Sequence, residues 1–256
     1  GISVSATDIS ARNATATHFF TVGDTDPPIV SVPTDMLLEA TSAAGAVANF
    51  TASANDAVDG SLATQCAPVS GTTFSLGTTT VNCSATDSAG NTGSASFNVT
   101  VEDTTPPSLT LASDITAEAT GPGGVAVEYV ATASDLVSGD FPANCTPPSG
   151  SVFPLGVTSV LCDAEDHAGN NANGGFSVIV VDTTPPQLSL PPDPVVEATG
   201  RSGAAVSFAA SATDAVGGSL PVECTPASGS VFPLGQTVVE CSTVDAAGNG
   251  AAGSFT

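Results

Sequence analysis

Residues 103–107 read Asp-Thr-Thr-Pro-Pro, and the same frame stands at Asp24–Pro28 and Asp182–Pro186, displaced by 79 residues each time. The cysteines keep this period: Cys66, Cys145 and Cys224, then Cys83, Cys162 and Cys241. So do Phe74, Phe153 and Phe232, each followed two residues on by Leu-Gly. No insertion or deletion separates the copies between these landmarks. Three features with one spacing identify three copies of a single structural unit laid end to end.

Within a unit, short segments rich in Val, Thr and Phe alternate with clusters of Gly, Pro, Ser and Asp. Val47–Ala54, Thr78–Thr86 and Phe97–Val101 show period-two patterning, with Val81, Cys83 and Ala85 on one face. No segment carries an apolar stripe of helical period. Six or seven short strands in about 79 residues, separated by turn signals, predict an all-β protein of tandem immunoglobulin/fibronectin-like antiparallel β-sandwiches in a linear array. The double proline opening each unit fits a stiff linker running into an edge strand. The units are expected at residues 27–105, 106–184 and 185–256, after a leading piece at 1–26.

Six cysteines allow about 15 pairings, and the repeat symmetry selects Cys66–Cys83, Cys145–Cys162 and Cys224–Cys241. Each bridge closes a loop of about 17 residues, stabilising a small core by about 3 kcal/mol in the chain-entropy model. A metal site is the rival reading, but CxxC spacing and nearby histidines are missing. Disulfides place the chain in an oxidising compartment, secreted or at the cell surface.

The chain has 25 acidic residues against two basic ones, Arg12 and Arg201, and a formal charge of −23. Such a surface repels nucleic acids and anionic membranes, whose phosphates require Lys and Arg. Its natural partners are cations. No apolar run is long enough to span a bilayer, so membrane insertion is not expected.

The combined pattern resembles the hyalin repeat (HYR) module. In the second copy its pieces are Asp103–Pro107, Glu118–Thr120, Cys145, Ser149–Gly150, Phe153–Gly156, Cys162 and Asp166–Asn170. The resemblance covers nearly the whole chain. It implies an extracellular sandwich module associated with adhesion, and it implies no reaction.

The chain is out of phase with its own repeat. Ser5-Ala-Thr-Asp8 aligns with Ser84-Ala-Thr-Asp87, and Phe20 with Val99, so residues 1–26 read as the last two strands of a preceding or neighbouring-subunit repeat. The third repeat lacks most of its final strand. Either the chain is a window of a longer repetitive protein, or residues 14–23 complete the deficient unit of a neighbouring subunit by strand addition, giving a head-to-tail homopolymer.

Acidic positions also recur: Asp24/Asp103/Asp182, Asp35/Asp114/Asp193, Glu39/Glu118/Glu197, Asp56/Asp135/Asp214 and Asp87/Asp166/Asp245. Asp87-Ser-Ala-Gly-Asn91 and its counterparts are good turn formers in their own right. Sandwich topology nevertheless predicts that these residues converge where one unit meets the next. One junction is expected to gather Glu39, Asp103, Asp135 and Asp166. Another gathers Glu118, Asp182, Asp214 and Asp245, and the first linker has Asp24, Asp56 and Asp87, with Asp26 and Asp59 as extras. Carboxylates converging without a basic partner call for a hard cation, and flexible oxygen ligands favour Ca²⁺.

Catalysis is not expected. His18 and His167 fall where other copies have Phe97 and Ser88 or Ala246, and no general base stands beside a nucleophile. Asn-x-Ser/Thr sequons occur at Asn13, Asn49, Asn82, Asn98 and Asn144. Asn13, Asn49 and Asn98 are the candidate glycosylation sites, because the other two adjoin cysteines. The resulting expectation is a structural subunit or segment of an extracellular fibre or stalk. An adhesin or spacer module of a larger secreted or cell-surface protein, with cell-surface or matrix ligands, is the alternative.

Overall fold

A computed structural model of the chain describes residues 2–7, 13–18 and 20–256. Its contacts divide the chain into two units, residues 1–104 and 105–256. The structure is all-β, and no helix among the described residues is long and apolar enough to cross a membrane. Ile2–Thr7 and Asn13–His18 pair as antiparallel strands.

In residues 27–105 the central strand is Gly77–Thr86, flanked by Thr92–Glu102 and Gln65–Ala67. Its alternation is the physical reason for the fold. Val81, Cys83 and Ala85 turn inward and are buried, as are Phe97, Val99 and Val101 on the neighbouring strand. Outward-facing residues pair across the same ladder: the Thr78 and Thr100 hydroxyls lie 3.0 Å apart, and the Thr80 hydroxyl donates to the Asn98 side-chain Oδ1 at 2.8 Å. Met36–Glu39 completes a four-stranded sheet. A three-stranded sheet of Ile29–Ser31, Ser53–Asp56 and Gly60–Leu62 completes the sandwich. Two further short strands, Ala46–Val47 and Thr73–Phe74, pair beside them.

Residues 106–184 repeat this plan. Ser108–Thr110, Thr132–Asp135 and Gly139–Pro142 form one sheet, and Ile115–Glu118, Asn171–Val181, Gly156–Glu165 and Asn144–Thr146 the other. Phe153, Val160 and Val178 are fully buried at the core, where Tyr129 packs edge-on against Phe176 at 4.9 Å. The third repeat keeps Gln187–Ser189, Ser211–Asp214 and Gly218–Leu220. Its second sheet has three strands, Glu223–Thr225, Val239–Val244 and Gly250–Phe255, and residues 194–197 form no strand.

The three disulfides pair as the repeat symmetry requires, Cys66–Cys83, Cys145–Cys162 and Cys224–Cys241, each joining residues directly opposite on adjacent strands.

Two details differ from the sequence expectation. Val47–Ala54 is not one strand: Ala46–Val47 and Ser53–Asp56 are separate, and the chain leaves the ladder between them. There the Ser70 hydroxyl receives the Phe50 N–H at 2.8 Å and donates to the Phe50 carbonyl at 2.7 Å, replacing a neighbouring strand. Ser149 does the same for Tyr129, and Ser228 for Phe208. In addition, one pair in each of the first two repeats runs parallel: Met36–Glu39 with Val99–Glu102, and Ile115–Glu118 with Val178–Val181.

Candidate functional site

The recurrent acids fall at strand ends, because a strand must hand its chain to a turn there and Asp side chains bond turn amides. Asp56 ends Ser53–Asp56, and one of its oxygens accepts the Val58 and Asp59 amides at 2.7 and 3.0 Å. Asp87 follows Gly77–Thr86. It accepts the Asn91 N–H at 2.7 Å on one oxygen and the Asn91 carboxamide at 2.8 Å on the other. The same carboxamide reaches the Asp24 carbonyl at 3.2 Å, tying the entering linker to the turn. Asp24, Asp56 and Asp87 each thus offer an oxygen within 4.8 Å of the others.

The geometry repeats between the second and third repeats. Asn249 donates to the Asp182 carbonyl at 3.0 Å and to the Asp245 carboxylate at 2.8 Å. Asp214 accepts the Val216 and Gly217 amides, and Asp182, Asp214 and Asp245 meet within 4.8 Å. Asp103 belongs to the first unit, and Asp135 and Asp166 to the second. Asp135 caps Val137 and Ser138, and Asp166 caps Ala168 and Asn170, as their counterparts do.

The electrostatics separate the triad members. Asp24 is raised above the ordinary carboxylate value, first by desolvation and then by Asp56, Asp87 and Asp59. One of its oxygens is buried with no hydrogen-bond partner. Asp182 is raised in the same way, by desolvation and then by Asp214, Asp245 and Glu118. Burial also works against ionised Asp87, Asp166 and Asp245. The amides of Asn91, Asn170, Asn249 and their turns outweigh it and leave all three lowered.

Glu39 and Glu118 stand outside these triads. Glu39 receives the Thr104 N–H at 2.9 Å and its hydroxyl at 2.7 Å. Glu118 receives both Thr183 donors and the Thr184 hydroxyl, each at 2.8 Å. These bonds hold Glu118 below its ordinary value, the Thr183 N–H first among them. Both glutamates therefore clasp the outgoing linker. Asp35, Asp114 and Asp193 cap the amides of Asn98, Ser177 and Thr256 at 2.7–2.8 Å. Asp59 accepts both donors of Ser88, and Asp26 gives its amide to Asp24. Sequence reading missed the glutamate clasps and the serine bridges, though Glu-Ala-Thr, Ser-Gly and the linker threonine all recur in the quoted pattern.

Of the sequon residues, Asn49 is exposed, and the Asn98 carboxamide is held by Thr80 and Asp35 in mid-strand. The Asn13 side chain lies outside the described residues.

Cystine-bearing β-sandwiches in series, with the linker at Asp182–Thr184 bonded from both sides, define a modular repeat protein. The chain belongs to the HYR domain family, whose model matches residues 6–101, 102–180 and 181–256. It is 36% identical over 194 residues to hyalin of Lytechinus variegatus, covering 72% of this chain and 37% of that protein. It is 35% identical over 266 aligned positions to hyalin of Strongylocentrotus purpuratus, covering 97% of this chain and 22% of that protein. The chain thus spans well under half the length of the hyalins it matches. Among solved structures, protocadherin gamma B2 extracellular cadherin domains 3–6 align with 99% of this chain and 81% of theirs, at 15% identity and a TM-score of 0.35.

Proposed function

We propose that the chain is a non-enzymatic structural segment of an extracellular fibre or stalk, in which copies follow one another head to tail. The observation that carries this reading is the clasp on the outgoing linker. Glu118 binds Thr183 and Thr184 with three hydrogen bonds while Asn249 holds the Asp182 carbonyl from the following repeat. A tether between independent domains has no use for such bonds, whereas a spacer that keeps its length does. Three disulfides suit the oxidising exterior. The low aromatic content, with one tyrosine and no tryptophan, gives little material for a sugar-binding face.

The same junctions are proposed to take Ca²⁺, at Asp24, Asp56 and Asp87 in the first repeat and at Asp182, Asp214 and Asp245 in the third. The fit rests on hard oxygen donors, on a buried Asp24 oxygen lacking a partner, and on mutual repulsion that a divalent cation relieves. Negative-stain imaging of native material tests the structural reading. Extended filaments or stalks with an axial repeat are expected, and isolated compact particles at all protein and Ca²⁺ concentrations would refute it.

A further inference from the structure

The fold treats the Asn-x-Ser/Thr sequons with described side chains, at Asn49, Asn82, Asn98 and Asn144, in different ways. At Asn98 both polar members are taken up by the ladder. Its amide donates to Asp35 at 2.7 Å, its carboxamide oxygen accepts Thr80 at 2.8 Å, and the Thr100 hydroxyl lies 3.0 Å from that of Thr78. Asn82 stands on the central strand between two neighbours, opposite Ser96 on one side and Ala67 on the other. Asn144 is locked to the strand opposite by the adjoining Cys145–Cys162 bridge, and Pro147 follows its Thr146.

Asn49-Phe50-Thr51 lies where the chain leaves the ladder, between Ala46–Val47 and Ser53–Asp56. Its inward residues are anchored. Ala48 is fully buried, its N–H reaches the Thr72 carbonyl at 3.3 Å, and its own carbonyl accepts the Gly71 amide at 2.8 Å. Phe50 packs edge-on against Phe97 at 4.9 Å, and Ser70 holds its backbone. Alternation then turns Asn49 and Thr51 outward on one side, where both are exposed and make no hydrogen bond to a described residue. A Cβ on Gly71 would meet the Asn49 Oδ1 at 3.6 Å and nothing else within 4 Å, so there is open space beside the carboxamide. The other repeats have Glu128-Tyr129-Val130 and Ser207-Phe208-Ala209 here, which confines the acceptor pair to the first.

We propose that Asn49 is an N-glycosylation site, the acceptor of an oligosaccharide delivered by an activated lipid-linked pyrophosphate donor. Asn49 Nδ2 forms a bond to the anomeric carbon of the first sugar, and the bond from that carbon to the pyrophosphate oxygen breaks. Nδ2 loses one proton, and the lipid pyrophosphate leaves with the electron pair. Thr51, on the same side, presents the hydroxyl that completes the sequon. An acceptor outside the ladder stays within reach of a transferase while the strands around it pair, whereas Asn82, Asn98 and Asn144 are withdrawn. The glycan projects from the loop close to Val47, which is 51% exposed two residues earlier on the same side. Asn49 carries it whether or not copies assemble into a fibre.

The test uses the full chain secreted from a eukaryotic cell line. After reduction, cleavage at acidic residues separates the sequons, because Asn49 falls between Glu39 and Asp56, Asn82 between Asp59 and Asp87, and Asn98 between Asp87 and Glu102. The peptides are treated with peptide N-glycosidase in heavy-oxygen water, which turns a glycosylated Asn into a labelled Asp, and are weighed by mass spectrometry. The Asn49 peptide should carry the label in most molecules, and the Asn98 peptide at most about a tenth as often. Thr51→Val should remove the Asn49 label and leave the melting profile unchanged, since Thr51 is exposed. Thr100→Val should leave the Asn49 label in place. An unlabelled Asn49 peptide overturns the proposal, as does label that persists in Thr51→Val. Equal labelling of Asn49 and Asn98 also overturns it, because a position outside the ladder then decides nothing.

Discussion

Replacing Gly124 by Ala should unfold the second repeat far more readily than replacing Gly139, although both glycines have positive φ. Gly124 has φ +97°, and a Cβ there would lie 1.8 Å from the Phe153 carbonyl oxygen and 2.9 Å from the Pro154 Cα. Both contacts are with backbone, so no side chain can swing aside. The strands must separate by more than an ångström, breaking the pairs Val125↔Phe153 and Ala126↔Val152. Phe153 is fully buried, and moving it opens the core. Left-handed backbone strain of about 1–2 kcal/mol combines with partial loss of Phe packing, giving about 3–5 kcal/mol in all. Gly139 has φ +76° and nothing within 4 Å of its Cβ position, so only the strain of about 1–2 kcal/mol applies. The sequence supplies a reporter, since Tyr129 is the single tyrosine and there is no tryptophan. Its ring packs on Phe176 in the same core, so tyrosine emission during urea unfolding follows the second repeat alone. With a slope near 1 kcal/mol/M for a unit of this size, Gly124→Ala should lower the midpoint by roughly 2 M more than Gly139→Ala. Equal midpoints would refute the reasoning.

Three further outcomes follow from the junctions. Glu118→Ala should speed amide exchange at Thr183 roughly tenfold or more while leaving the Tyr129 unfolding midpoint nearly unchanged, because it frees the linker and not the core. Adding Ca²⁺ to about 10 mM at constant ionic strength should raise the melting temperature by about 6–10 °C if affinity is near 1 mM, as in other extracellular modules, and Asp24→Asn should diminish the rise; equal effects from Mg²⁺ would count against the site. In chelator, acidification should act in two stages. Asp24 and Asp182, raised in the fold, oppose folding when ionised, so stability should climb as pH falls toward their values. Asp87, Asp166, Asp245 and Glu118 are lowered, so their contribution is present above pH 3.8 (4.5 for Glu118) and disappears as pH drops through their folded values. Melting curves from pH 7 to 2 should therefore show a shallow maximum, which saturating Ca²⁺ flattens.

The sandwich, the disulfide pairs and the convergence of Asp24, Asp56 and Asp87 were legible because each depends on period or on position along strands. Cys66 and Cys83 had to meet once symmetry ruled out other pairings. The roles of Glu39 and Glu118 were not legible. Whether a carboxylate ends among other carboxylates or on threonine donors depends on a side-chain direction a few ångströms across, and period does not encode it. Ser70, Ser149 and Ser228 escaped for a similar reason. A serine in a Ser-Gly turn reads as a turn former, and only the fold shows it facing an unpaired stretch of backbone 20 residues away. The parallel pair also escaped, since its partners, Met36 and Val99, lie at opposite ends of the unit and are joined by no local turn.

That parallel pair determines how the protein responds to being pulled. After the entering strand Ile29–Ser31, held by Ser53–Asp56, the chain of the first repeat runs through Met36–Glu39 and leaves from Val99–Glu102, and these last two are neighbouring strands running in the same direction. Once tension has freed Ile29–Ser31 from Ser53–Asp56, it drags these two strands past each other along their length. Their hydrogen bonds are loaded together in shear, and none can be peeled off singly as in a hairpin pulled open at its ends. Resistance to force then depends on the rate of one concerted rupture in each of the first two repeats rather than on equilibrium stability. In the fibre proposed above, a module only modestly stable at rest would thus hold as a strong link.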